Sequence, residues 1–205
     1  MITLAGLLLG EGMYDESESL YRRAVDATEM VLGDDDPTTL QAMSGYSDLW
    51  VHQGKYKDAQ VITQRVHSKR KSILGETHPE TFESLHNIAV VLNKKGNFKD
   101  AEPLYRRAFD GRKQVLGEEH PDTFKSMDSL AVLLQNQRKY DEAEVLYRKA
   151  LDGRKKVLGE EHPDTLSSMS YYAYCVERRR YREKRPVQVR VLKRMMQFLP
   201  RKTCG

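Results

Sequence analysis

The sequence predicts an all-α solenoid, in which antiparallel helix pairs stack side by side. The dipeptide Leu-Gly recurs at positions 32-33, 74-75, 116-117 and 158-159, which lie 42 residues apart each time. Apolar residues between these marks follow helical spacing, and glycines and prolines stand where helices would end and begin. A single helix pair of this kind cannot bury both of its apolar faces, so stacked neighbours must form one continuous core.

The 42-residue spacing divides the chain into six segments. They are a partial first repeat (1-33), three full repeats (34-75, 76-117 and 118-159), a degenerate repeat (160-181) and a basic C-terminal tail or cap (182-205). The fifth repeat is one residue short, and its first helix is expected from about Asp164 to Arg179. Pro186 then falls where a second helix should be running. A capping helix and a disordered basic tail are both compatible with residues 182-205.

Each full repeat contains two amphipathic helices. In the first helix the apolar positions are those of Leu85, Ile88, Ala89 and Leu92. In the second helix they are those of Ala101, Leu104, Tyr105 and Ala108. Small alanines at fixed places allow neighbouring helices to approach closely, while leucine and tyrosine fill the space between them. We therefore interpret these residues as packing positions.

The breaks between helices are marked by glycine and proline. Gly54 and Gly96 precede an aromatic residue and suit a tight turn with positive φ inside a repeat. Between repeats, a glycine suits the left-handed position after a helix end, and a proline suits the first turn of the next helix. These linker residues are Gly75, Gly117, Gly159, Pro79, Pro121 and Pro163.

The charge is unevenly distributed along the chain. Residues 178-202 contain eleven Lys or Arg and one acid, whereas residues 1-177 contain 23 basic and 29 acidic side chains. The densest part of the basic tail is Arg178, Arg179, Arg180, Arg182, Lys184 and Arg185. Such a cluster could bind nucleic acid or an anionic membrane by releasing counterions. A solvated, unfolded end is the preferred interpretation, because no nucleic-acid-reading motif accompanies the charge.

The sequence indicates neither a membrane segment nor a catalytic, metal or cofactor site. The longest apolar stretch, Ile2 to Leu9, is too short to span a bilayer and follows no basic segment, so a cytoplasmic location is expected. No nucleophile, base and orienting group stand at a recognisable spacing, and no glycine-rich phosphate loop is present. We therefore expect no enzyme activity, no cofactor and no small-molecule substrate.

Several histidine, cysteine and aromatic residues could be interpreted as functional, but a packing role explains them better. His78, His120 and His162 recur with the linker, and successive copies should lie too far apart to share one zinc ion. Cys175 is expected to be a packed thiol. Trp50 and Tyr172 coincide with apolar core positions of other repeats, so we expect them in the core.

The run GEEHPDT at residues 117-123, followed by AVLLQNQRKYDEAEVLYRKALDGRKKVLG, resembles the tetratricopeptide repeats of kinesin light chains and nephrocystins. The resemblance extends over residues 1 to about 181. It implies a right-handed superhelix whose first helices line a concave groove for a peptide or helix of another protein. Members often carry two adjacent asparagines in this groove. This sequence has Ser44-Gly45, His86-Asn87 and Asp128-Ser129 there.

Position by position, the resemblance also implies which residues line the groove. They are Gln41, Ser44, Asp48, His52, Glu83, His86, Asn87, Val90, Asn93, Lys94, Lys125, Asp128, Val132, Gln135 and Asn136. His86 lies on the presumed groove face and is the histidine to test for contact with a partner. The predicted function is that of an interaction scaffold or adaptor, and attachment to nucleic acid or membrane through the basic tail is the alternative.

Overall fold

The computed structural model describes the backbone of residues 1-198 and the side chains of residues 1-182. Nine α-helices and no strand are found in this part of the chain. The helices are α1 (Ile2–Gly10), α2 (Tyr14–Leu32), α3 (Pro37–His52), α4 (Tyr56–Leu74), α5 (Pro79–Lys94), α6 (Phe98–Leu116), α7 (Pro121–Asn136), α8 (Tyr140–Leu158) and α9 (Pro163–Phe198). The predicted all-α repeat fold is confirmed.

The helices pack in chain order, each against the next. In addition, α3 contacts both α1 and α5, and α5 contacts α7. Among the described residues, the even-numbered helices make no comparable contacts with one another. In a curved stack of helix pairs, helices on the inner side lie closer together than helices on the outer side. Because the odd-numbered helices contact one another directly, they form the inner, concave side of the curve.

The predicted packing positions form the core. Ala101 and Tyr105 of α6 are at most 2% exposed, as are their counterparts Ala143 and Tyr147 of α8. These four residues join one cluster with Leu130, Ala131, Leu134 and Cys175. Because this cluster draws on α5 through α9, burial at each repeat depends on its neighbours.

The tight turn inside a repeat requires a positive φ. Gly12, Gly54 and Gly96 adopt φ values of 78°, 75° and 83°. The fourth copy of the turn has Arg138 at φ 64°, the one non-glycine residue with positive φ among the described residues. An L-amino acid is strained in this region, so the fourth turn is less favourable than the other three.

Replacing Arg138 with glycine should therefore stabilise the fold. We expect Arg138→Gly to raise the free energy of unfolding by about 1 kcal/mol, because glycine adopts this conformation without steric cost. Urea denaturation followed by circular dichroism measures the change. Gly96→Ala at the equivalent turn should lower stability by a similar amount. A loss of stability in Arg138→Gly would show that the arginine side chain contributes more than the strain costs.

The linkers between repeats differ from the expectation in one respect. Gly75 has φ 87° and ψ 168°, a region that essentially only glycine occupies, and not the left-handed helical region that we predicted. This extended geometry turns the Gly75 carbonyl toward the next helix, where the Thr81 hydroxyl donates to it at 2.8 Å. The same bond joins Thr123 to Gly117 at 2.8 Å.

The linker histidines are helix caps. The Nδ1 atom of His78 accepts a hydrogen bond from the backbone N–H of Glu80 at 3.3 Å. His120 and His162 accept in the same way at 3.1 and 3.2 Å. In the first linker Asp36 does so with a carboxylate oxygen. A recurrent N-cap explains why a histidine accompanies each of these prolines.

The expected end of the fifth first helix is wrong. Instead of ending near Arg179, α9 runs without interruption through Pro186 to Phe198. Arg179 occupies the place of the turn glycine here, but Arg138 occupies it in the fourth repeat and α7 still ends at Asn136. The missing glycine alone therefore does not explain why α9 continues. Residues 199-205, which include the end of the predicted tail, lie outside the described residues.

Candidate functional site: the concave face

The inner faces of α3, α5 and α7 present most of the predicted groove residues to solvent. The exposed ones are Gln41, Asp48, His52, Lys94, Lys125 and Asn136. The half-buried ones are Ser44, Glu83, Asn87, Val90, Asn93, Asp128, Val132 and Gln135. The concave face therefore offers mixed charges and amides around a few apolar atoms.

One hollow lies between the C-terminal halves of α3 and α5. Asp48 and His52 line it from α3, and Val90 and Lys94 line it from α5. Leu9 of α1 closes one side. The hollow thus combines an acid, a base and apolar side chains.

The Asp48 carboxyl group is held in an unfavourable environment. Its side chain is exposed and lines the hollow together with Leu9 and Val90. Partial loss of hydration raises the pKa of Asp48, and Lys125 offsets this while Glu83 adds to it. Because Glu83 and Lys125 come from α5 and α7, charges of three helices act on one another across the concave face.

A second hollow lies at the other end of the same helix pair. Gln41 and Ser44 of α3 face Glu83 of α5 there. The floor includes Arg70 of α4, whose Nη1 donates to a Glu83 carboxylate oxygen at 3.0 Å. The Glu83 carboxylate is thereby already partly occupied by a neighbouring cation.

Between α5 and α7 the polar groove residues are engaged with the protein itself. The Asn136 amide donates to the Asn93 side-chain oxygen at 3.2 Å. Asp128 accepts from Arg154 at 2.6 Å. Burial raises the pKa of Asp128, and the Arg154 guanidinium opposes that rise. These hydrogen bonds link neighbouring helices, so the side chains that make them are less available to a ligand than Asp48.

His86 is not presented on the groove surface as predicted, because its side chain is only 3% exposed. The ring lies edge-on to Tyr105, with centroids 5.3 Å apart, and the Ser129 hydroxyl is 3.5 Å from its Nε2. Burial, together with the positive charges of Arg112 and Lys125, lowers the pKa of His86 to about 3. His86 is therefore a neutral packing residue between α5 and α7.

A series of buried arginines positions the inner helices, and the sequence analysis did not identify it. Arg70, Arg112 and Arg154 stand 42 residues apart on the second helices and are 3%, 3% and 7% exposed. Arg112 donates to the Asp122 carbonyl and to the Ser126 hydroxyl of the following helix, at 3.4 and 2.9 Å. Arg154 likewise binds Ser168. The recurrence of arginine with a serine 14 residues later was the available signal.

A polar junction between repeats was also missed. Glu102 of α6 accepts from Gln137 and Lys139 in the next repeat, at 2.9 and 3.0 Å. Burial opposes ionisation of Glu102, but the hydrogen bonds from Gln137, Arg106 and Lys139 outweigh it and lower its pKa to about 2. Glu18 makes the equivalent contacts with Gln53 and Lys55. These junctions fix the angle between successive repeats.

Two of the four described arginines of the basic cluster, Arg179 and Arg182, contact the preceding repeat. Arg178 lies 5.6 Å from the ring centroid of Tyr174, and Arg179 pairs with Glu144 at 2.8 Å. Arg182 donates to the Arg138 carbonyl at 2.8 Å. Arg180 is exposed. Lys184 and Arg185 belong to α9, and their side chains lie outside the described residues.

The thiol is buried as expected, whereas the two aromatic residues expected in the core are only partly buried at its edge. Cys175 is fully buried, and burial raises the pKa of its thiol to about 11. Tyr172 and Trp50 are half-buried against the core clusters. Across the described residues, there is no group of three or more His, Cys, Asp or Glu side chains that could hold a metal ion. None of the described helices is long and apolar enough to cross a membrane.

Comparison with known proteins identifies the repeat. A family model for the tetratricopeptide repeat matches residues 1-72, 49-114, 80-155 and 122-183. The crystal structure of a Podosopora anserina putative kinesin light chain with nearly identical TPR-like repeats has a TM-score of 0.69 and 22% identity. That alignment covers 96% of this chain and 95% of the other.

BtubC (BKLC) from P. vanneervenii has a TM-score of 0.70 and 21% identity, covering 100% of this chain and 84% of the other. At these identities the likeness shows the fold alone. No curated protein matches the sequence. Since the repeat model spans nearly all of the described residues, the chain belongs to the tetratricopeptide repeat family.

Proposed function

We propose that this chain is an interaction module, and that the concave face of α3, α5 and α7 binds a short segment of a partner protein. The observation that carries this proposal is the Asp48 carboxyl group. It is exposed in an open hollow, beside the apolar side chains of Leu9 and Val90. An accessible charged group next to apolar atoms in a concave place is typical of a ligand contact.

The chemistry of the hollow indicates the kind of segment that would bind. An exposed carboxylate accepts hydrogen bonds from a Lys or Arg side chain, or from backbone N–H groups. Val51 and Val90 offer apolar contact at either side of it. The best ligand is a peptide with a basic residue flanked by apolar ones.

The test is an isosteric change that removes the charge. Asp48→Asn should abolish binding of peptides selected from a random-peptide phage library on the unmodified chain. Its melting temperature should stay close to that of the unmodified chain, because Asp48 is an exposed side chain.

The matched control makes the same chemical change away from the groove. Asp110→Asn alters an exposed aspartate of α6, outside the inner row of helices, and should leave peptide binding unchanged. Selected peptides that bind Asp48→Asn as tightly as the unmodified chain would rule out this hollow as the binding site.

A further inference from the structure

A pocket lined by three arginines lies where α9 passes the turn between α7 and α8. It has a volume of about 180 Å³, and its lining residues are Arg138, Tyr140, Arg178, Tyr181 and Arg182. Arg138 belongs to the turn, Tyr140 begins α8, and the other three residues belong to α9. The pocket is therefore distinct from the two hollows between α3 and α5.

The fold makes a similar hollow two repeats earlier, with corresponding residues at three lining positions. They are Gly54, Tyr56 and Lys94, against Arg138, Tyr140 and Arg178 here. The later pocket differs because an arginine replaces the turn glycine, so that a side chain stands at this position. In addition, α9 continues past the point at which α5 ends, and this continuation supplies Tyr181 and Arg182. Both departures from the repeat contribute to the same pocket.

Two of the three guanidinium groups are held in place by the protein. Arg182 donates to the Arg138 carbonyl at 2.8 Å, which ties α9 to the turn. The Arg178 guanidinium lies 5.6 Å from the ring centroid of Tyr174. A guanidinium group has five N–H donors, so each of these contacts leaves donors available to a ligand.

The three arginines have no counter-ion in the part of the chain whose side chains are described, residues 1-182. The nearby acids of α8, Asp141 and Glu144, pair with Arg179 instead, at 3.6 and 2.8 Å. Neighbouring like charges repel one another, and an anion placed between them removes that repulsion. The charge of the pocket therefore favours a negatively charged ligand.

The backbone of Arg138 provides independent support for a binding role. Its φ of 64° lies in the region where the equivalent turns have glycine. Glycine would adopt this conformation without steric cost, so the arginine is retained at some cost to stability. A strained residue whose side chain lines a pocket indicates that the side chain serves a ligand.

We propose that this pocket binds the phosphate group of a phosphorylated side chain of a partner protein. Such a group carries about −1.5 to −2 charges at neutral pH and has three acceptor oxygens. It therefore matches three guanidinium groups better than a carboxylate does, and arginine binds it through paired N–H donors. A single pocket favours a phosphorylated residue over nucleic acid or a membrane, which contact basic side chains spread over a surface.

Titration of a capped tripeptide, Ala-phosphoserine-Ala, into the isotope-labelled chain tests this site. The arginine Nε–H signals in the NMR spectrum should shift and saturate, whereas unphosphorylated Ala-Ser-Ala should cause no shift. Arg138→Gly and Arg182→Gln should each weaken binding at least about tenfold, because each removes a charge-assisted hydrogen bond. Arg138→Gly restores the residue of the other turns, so its loss of binding would not reflect a loss of fold.

The matched control is Arg180→Gln, which removes the same charge from an exposed arginine of α9 outside the pocket. It should leave the affinity for the phosphopeptide nearly unchanged. An equal loss in Arg180→Gln would show general attraction to the basic end of the chain and would overturn the pocket. A titration without saturable shifts would overturn it as well.

Two other phosphate sources are tested with the same variants. If Arg138→Gly weakened binding of an oligouridine RNA or of phosphatidylserine vesicles, while the phosphopeptide bound all variants alike, the pocket would belong to those phosphates and the proposal would fail. None of these measurements depends on the Asp48 hollow, so they are independent of the proposed peptide groove.

Discussion

We expect His86→Gln to remove a large part of the acid sensitivity of this chain. The pKa of His86 is about 3 when folded, against 6.5 in its ordinary state. Because the folded pKa is depressed, the unfolded chain binds the proton first, so stability is complete above pH 6.5 and falls as the pH drops toward 3. The loss approaches about 1.4 kcal/mol per pH unit, or roughly 3 kcal/mol near pH 4.5.

Urea denaturation at about pH 7.5 and about pH 4.5 measures this effect. Asp48 acts in the opposite sense over part of this range, since its raised pKa makes the folded chain bind a proton first. The informative quantity is therefore the difference between His86→Gln and the unmodified chain at each pH. His52→Gln removes an exposed histidine and is the control. An unchanged pH dependence in His86→Gln would contradict the buried placement of this ring.

The second large effect is expected at Gly111, inside α6. Alanine favours a helix interior by about 1 kcal/mol over glycine. Here, however, its β-carbon would lie 2.2 Å from the ring of Phe82, which is 5% exposed and has little room to move. We expect Gly111→Ala to lower the free energy of unfolding by about 1 to 3 kcal/mol, because overpacking outweighs the helix preference.

A double-mutant cycle identifies the cause of that loss. Phe82→Leu reproduces the residue of the second repeat, Leu40, and creates space for the added methyl group. Gly111→Ala should then be neutral or stabilising in the Phe82→Leu background. Gly10→Ala, in a helix with no atom within 4 Å of the new β-carbon, should not destabilise and is the control. Equal costs of Gly111→Ala in both backgrounds would contradict the contact.

The periodic part of the fold could be predicted because the same residue types stand at the same positions of successive repeats. The linker prolines and most of the turn glycines, alanines and tyrosines recur every 42 residues, so one interpretation is tested several times within one chain. The fifth repeat has no such repetition. The loss of one residue and of the turn glycine was visible, but whether a helix then stops or continues depends on packing beyond the local sequence.

The groove residues were predicted from their positions in the repeat, and the observed burial of side chains corrects that prediction at His86. His86 occupies the place of Ser44 and Asp128, so helical spacing assigns all three to the inner face. Its larger ring fills the gap between α5 and α7 and becomes core, which spacing alone cannot reveal. The buried arginines were missed for the opposite reason, because charged residues are usually assigned to the surface. Their burial depends on carbonyl and hydroxyl partners in the next repeat.

A crystal structure of the chain with a peptide selected on it tests the central claim most directly. The account predicts that the peptide lies along the inner faces of α3, α5 and α7, with a donor group within hydrogen-bond distance of the Asp48 carboxylate. A peptide bound to the outer surfaces of the even-numbered helices would contradict it.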